Sequence, residues 1–197
     1  MIRTRKDLNF YIQEDAKRND IKPGLIWYIA HYIYGSSNLY AFRYLKYLRH
    51  CEYHANNKGA YHKLMYYVYK LIVSRLSLKY NISIPINKVG YGLRLLHLAG
   101  GGGMLINCKS MGNYCGVNAG VLVGNKDSQE NTATIGDYVA LGPGAKVIGK
   151  VTIGDNVFVA ANAVVVKDIP SNSIAGGIPA KVLKEREPID NNSNYKN

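Results

Sequence analysis

Two hydrophobic periods divide the chain. Up to about residue 82, apolar positions recur three and four residues apart, the spacing that lines one face of an α-helix. An N-cap-like Asp7 opens the first expected helix, which carries Leu8, Tyr11 and Ile12 and runs to about Asn19. After "DIKPG" a second is expected from about Leu25 to Tyr34, ended by "GSSN". Asn38 is the expected cap of a third, "LYAFRYLKYLRHCEYHA", and a fourth, "AYHKLMYYVYKLIVSRLSLKY", stops at Asn81 before the extended "SIPINKVG".

From residue 83 onward the period becomes six. Ile135, Leu141, Val147, Ile153, Val159 and Val165 are each six residues apart, and a small or β-branched residue (Val139, Ala145, Val151, Val157, Ala163) stands two positions before each of the last five. Val123, Val117, Met111 and Leu105 keep this phase backward across the bridging segment "GNKDSQENTAT", and Val89 and Leu95 repeat the step in another phase. A strict period of six marks a parallel β-helix: three short strands close one triangular coil, and each aliphatic residue stacks on its equivalent one coil away. The "IGD" and "IGDN" pairs are expected to serve the corners through positive φ. The division is therefore a helical N-terminal domain over 1–82, a β-helix over 83–183, and a polar tail over 184–197 whose composition predicts disorder.

Charge divides the chain at the same place. Residues 1–82 hold 14 Lys/Arg against 5 Asp/Glu, residues 83–197 hold 11 against 8, and 13 of the 17 tyrosines lie in the first part. Such a surface suits nucleic acid, an anionic membrane or an anionic substrate. No RNP-type aromatic strand, zinc-finger spacing or helix-turn-helix accompanies it, so nucleic-acid binding is not expected. The tyrosines are read first as core and helix-contact residues, with peripheral membrane contact as the alternative. No stretch approaches the roughly 18 apolar residues of a membrane span, and the charged start "MIRTRKDLNF" is unlike a signal peptide, which predicts a cytoplasmic protein, at the inner membrane face if the helices touch lipid. Cys51, Cys108 and Cys115 lie in no CxxC spacing, so buried free thiols are expected rather than disulfides or a zinc site.

The stretches "RTRKDLNFYIQED", "SIPINKVGYGLRLLH", "GDYVALGPGAKVIGKVTIGDNVFVAANAVVVKDIP" and "AGGIPAKVL" together resemble the left-handed β-helix acyltransferases, most of all the serine acetyltransferase-like proteins of capsule and lipopolysaccharide gene clusters. The resemblance implies a mainly β fold, a left-handed parallel β-helix with an N-terminal α-helical domain, and acyl transfer from acetyl-CoA. It implies that His97, just after the "GYGL" turn and the only histidine beyond His62, is the general base. Imidazole suits that role because it titrates near 6.5. Related polysaccharide-cluster proteins often have a histidine where Asn118 stands; asparagine can still donate a hydrogen bond to substrate or tetrahedral intermediate but cannot act as a base. In this superfamily CoA lies along the groove between neighbouring subunits' coils. That implies a homotrimer, with Gly142, Pro143, Ala160 and Ala161 against the pantetheine arm and Lys167 and Lys181 against the phosphates. No metal is implied, because His97 alone cannot supply the three histidines of a zinc-dependent β-helix hydratase.

The resemblance also has gaps. Serine acetyltransferases place an acid directly before the histidine and another upstream, where this chain has Leu96 and Ile82, and a second histidine where it has "NTAT". The expected reaction is therefore O-acetylation of a sugar hydroxyl in a surface-polysaccharide precursor. Serine O-acetylation, N-acetylation of an amino sugar, and a non-catalytic β-helix scaffold are the alternatives. The run "HLAGGGGML" is no phosphate loop, since no Gly-Lys-Ser/Thr follows the glycines. It reads instead as an insertion of about three residues relative to relatives, with Gly101 and Gly102 shaping the acceptor side of the cleft.

Overall fold

The computed structural model describes residues 1–98, 102–128 and 130–189. Four helices come first: α1 (Arg5–Arg18), α2 (Leu25–Ile33), α3 (Ser37–Ala55) and α4 (Ala60–Tyr80). A parallel β-helix follows, with three faces. The first face stacks β1 (Ile82–Ser83), β3 (Met104–Ile106), β6 (Leu122–Gly124), β9 (Lys146–Ile148) and β12 (Val164–Val165). The second stacks β4 (Ser110–Met111), β7 (Thr134–Ile135) and β10 (Thr152–Ile153). The third stacks β2 (Arg94–Leu96), β5 (Gly116–Asn118), β8 (Ala140–Leu141), β11 (Phe158–Val159) and β13 (Ser173–Gly177), and antiparallel β14 (Ala180–Glu185) closes it.

The six-residue period from Ile135 to Val165 is the step from one face to the next, and three such steps make one coil. Val147 pairs with Val165 and Leu141 with Val159, each 18 residues on, and all four are fully buried. The phase assigned to Leu105 is corrected. Met104 and Ile106 point inward while Leu105 is 43% exposed, because Ile106 and Met111 are only five residues apart. Leu95 pairs with Val117, 22 residues on, which explains the other phase of Val89 and Leu95. The step from Leu95 to Ile106 takes 11 residues where the step from Val117 to Val123 takes 6, so the chain carries five additional residues between these two strands.

The glycines of the "IGD" pairs serve another purpose than the expected one. Positive φ falls on Tyr138 and Asn156, two residues later. Gly136 is required instead by close stacking: a Cβ there would lie 2.9 Å from the backbone nitrogen of Asp155 on the next coil. Asp155 in turn accepts from the Asp137 amide at 2.7 Å, so corner carboxylates tie one coil to the next.

The helices cap the first coil. Thr4 rather than Asp7 is the α1 N-cap. Its hydroxyl accepts from the Asp7 amide and the Asp7 carboxylate accepts from the Thr4 amide, a reciprocal capping box. Ser36, not Asn38, precedes α3. α3 supplies Ala41, Tyr44, Leu45 and Leu48 to the same apolar core as the β-helix interior. At that junction the fully buried Arg49 guanidinium binds Asp15 of α1 at 2.8 Å, Glu52 at 3.1 Å and the Val89 carbonyl at 2.9 Å. Among the tyrosines of the helical part only Tyr44 is fully buried, and α2 and α4 hold no buried residue, so most of these tyrosines are helix-contact rather than core residues: Tyr40 meets Tyr80, and Tyr47 meets Tyr69, between α3 and α4. Among the described residues no helix is long and apolar enough to cross a membrane.

Candidate active site

Each coil passes from the third face to the first through one corner, and most of the candidate residues meet there. Leu96 pairs with Asn118, Val117 with Leu141, and Leu141 with Val159, so Asn118, Gly142 and Ala160 follow one another down the corner. Beside them runs an outer row, Ala119, Pro143 and Ala161. It is held by the Gly144 amide donating to Ala119 (2.9 Å) and the Asn162 amide donating to Pro143 (2.8 Å). His97 leaves β2 at the head of this row. It is exposed, with φ of 59°, and its ring makes no hydrogen bond among the described residues.

The position of His97 is set by the helical part. Asp15 accepts from the Leu93 amide at 3.0 Å, and Asn19 donates to the Leu93 carbonyl at 2.8 Å. Both side chains are buried, so α1 supplies hydrogen bonds to a strand with no coil above it and fixes the backbone just before His97.

Asn118 is half-buried and donates to the Leu141 carbonyl at 2.9 Å, which orients its amide along the corner. Gly102 lies where the inserted segment rejoins the coil, and a Cβ on it would stand 2.6 Å from the Gly120 nitrogen. Gly101 lies outside the described residues. Gly142 is buried, and a Cβ there would meet the Val159 carbonyl at 2.8 Å, so coil stacking alone demands glycine. Pro143 and Ala161 are exposed. Lys181 pairs across the last hairpin with Gly176, which lies next to Ala160, and so stands at the foot of the corner. Lys167 is not brought to it: it follows β12 and is exposed at the next corner.

The sequence reading passed over Lys146. Immediately past the corner, the first face opens into a cleft of about 660 Å³ lined by Asn81, Ser83, Gly103, Leu122 and Lys146, among others. The Lys146 ammonium donates to the Gly120 carbonyl at 2.6 Å. Its signal was available, since a lysine between the inward Ala145 and Val147 must point outward from a strand.

The three cysteines are free and buried. Burial pushes the Cys108 thiol up to about 11 and Cys115 up to about 12, which leaves neither as a thiolate nucleophile near neutral pH. Among the described residues no group of three or more His, Cys, Asp or Glu is arranged to hold a metal ion.

Comparison with known proteins places this geometry. The family model for bacterial transferase hexapeptide (six repeats) matches residues 132–167. A serine acetyltransferase of Helicobacter pylori is 34% identical over 129 residues, which take in 63% of this chain and 74% of that protein. A serine acetyltransferase of Synechococcus elongatus is 36% identical over 101 residues, half of this chain, and the chain spans only 41% of that relative's length. The crystal structure of the Neisseria gonorrhoeae serine acetyltransferase superposes with a TM-score of 0.69 at 22% identity, covering 94% of this chain and 70% of that one.

Proposed function

Because the chain belongs to the serine acetyltransferase family of hexapeptide-repeat proteins, we propose that it transfers the acetyl group of acetyl-CoA to a hydroxyl, with His97 as general base and L-serine as acceptor. The observation that carries this reading is the exposed imidazole at the head of a corner whose outer row, Ala119, Pro143 and Ala161, is small or flat enough for an extended arm to lie along it.

In this mechanism the His97 imidazole takes the hydroxyl proton as the oxygen attacks the thioester carbonyl. The tetrahedral intermediate then collapses, the C–S bond breaks, and the imidazolium returns the proton to the CoA thiolate. One amide proton of Asn118 is engaged with Leu141, and the second is the donor for the intermediate's oxyanion. Pro143 and Ala161 flank the pantetheine arm, Lys181 meets a CoA phosphate at the foot of the corner, and Gly142 and Ala160 supply the backbone beneath. The cleft beside Lys146 is the candidate room for the acceptor. The reading includes a homotrimer, in which a neighbour's coils close the open side of this edge and bring Lys167 from the next corner within reach of CoA.

One observation favours a sugar hydroxyl as the second reading. Ile82 is fully buried and Leu96 is apolar, so neither supplies a carboxylate to the ammonium of an amino acid. Thiol release from acetyl-CoA, followed with L-serine and with sugar acceptors in parallel, separates the two. His97→Ala is expected to lower turnover about 10²-fold or more. An unchanged rate removes His97 from the mechanism, activity with sugars alone moves the acceptor to the second reading, and no thermal shift with CoA would leave a non-catalytic scaffold.

A further inference from the structure

The helical part carries a surface that acetyl transfer does not use. Ile26 and Ile33 of α2 are 86% and 72% exposed, and Leu64 and Leu71 of α4 are 63% and 60% exposed. On α4, Leu64, Val68 and Leu71 recur at helical spacing and form one outward apolar stripe that ends at the exposed Arg75. Lys63 and Lys70 flank it on one side and Lys79 on the other, all exposed. The two helices flank the start of α3: Arg43 stacks on Tyr32 of α2 at 5.3 Å, and Tyr40 of α3 contacts both Tyr32 and Tyr80 of α4.

The charges on this surface have one sign. Between Ile21 and Asn81 the only carboxylate is Glu52, which is buried and bound to Arg49. Apolar side chains ringed by cations, with no exposed acid, are complementary to an anionic interface and poorly suited to water. Pairing two such faces about a two-fold axis would set cations against cations, which disfavours a symmetric face-to-face dimer. α2, at nine residues, is too short to span a bilayer, and the cations along α4 keep it in the plane of the headgroups.

We propose that α2 and α4 form a docking face for an anionic lipid bilayer, with the α4 leucine stripe inserted among the acyl chains and Lys63, Lys70 and Lys79 on the phosphates. This stands apart from the acetyl-transfer reading. The test is flotation of the full chain with vesicles of equal parts phosphatidylcholine and phosphatidylglycerol, against phosphatidylcholine alone. Binding is expected only to the anionic vesicles, and to weaken as salt rises from about 0.1 M to about 1 M and the screening length shrinks from about 10 Å to about 3 Å. Leu64→Glu and Leu71→Glu should each weaken vesicle affinity about tenfold or more, with unchanged thermal melts because both side chains are already exposed. No flotation with anionic vesicles, or flotation undiminished in both variants, overturns the proposal. So does a Leu71→Glu variant that sediments as a smaller assembly than the parent when the parent binds no vesicles, since that outcome identifies a second copy as the occupant.

Discussion

His97 holds a backbone conformation that most side chains avoid. Its φ of 59° costs roughly 1–2 kcal/mol for a residue with a Cβ, and Asp15 and Asn19 clamp the strand that leads into it. Asparagine tolerates that region, so His97→Asn should leave the melting temperature close to that of the parent while abolishing base catalysis, a combination that a purely structural histidine would not produce. Gly102 presents the opposite case. Its hydrogen faces the Gly120 backbone, and a methyl group there must displace main chain rather than a mobile side-chain end. Gly102→Ala should therefore destabilise by about 1–3 kcal/mol. Because the displaced segment borders the cleft proposed for the acceptor, KM for the acceptor should rise more than KM for acetyl-CoA. A variant with the parent's melt and both KM values unchanged would show that the inserted segment is slack and takes no part in shaping the cleft.

Between elements, α3 and α4 meet through a pair of imidazoles. The Nδ1 atoms of His54 and His62 are 3.0 Å apart, a contact that requires one ring to donate and the other to accept. Burial first, and then the neighbouring His62, pulls His54 below the ordinary histidine value, and burial does the same to His50. The unfolded chain therefore binds more protons than the folded one between the depressed values and about 6.5, so stability is full above that window and falls as pH drops through it. Melting temperature measured from about pH 7.5 down to about pH 5.5 should decline, and His54→Gln should flatten the decline. An identical slope in that variant would place the titration elsewhere. Element by element, the sequence was an uneven guide. The stack from Ile135 to Val165 was legible because its step is uniform and every sixth residue meets the same axis. Leu105 was misplaced because a five-residue insertion precedes it and a five-residue step follows it, and a count of six carried backward from Val123 registers neither. Leu64 and Leu71 have helical spacing that predicts burial, and periodicity alone carries no information on whether another element covers that face.

Over the whole molecule, the junction between helices and β-helix was the least legible part of the fold, because its partners are distant in sequence. Asp15 and Arg49 stand 34 positions apart, and Arg49 reaches the Val89 carbonyl 40 positions on, so no local pattern relates them. The site suffers the same blindness on a smaller scale: the row Ala119, Pro143 and Ala161 was only partly anticipated, since its alignment depends on coil lengths that vary by insertion. The junction also makes a claim about cooperativity. Ala41, Tyr44, Leu45 and Leu48 belong to one core with the first coils, and the Arg49 cluster closes its edge through direct hydrogen bonds. Arg49→Met would leave Asp15 and Glu52 as buried carboxylates without their counter-charge, a loss of about 3–5 kcal/mol. If the two parts unfold as one unit, helical and sheet signals in circular dichroism should melt together in the parent and fall together, at a lower temperature, in Arg49→Met. Early loss of the helical signal with the sheet transition unmoved would instead mean that the β-helix stands without its cap. In that case the clamp on Leu93 could not be what holds His97 at the head of its row.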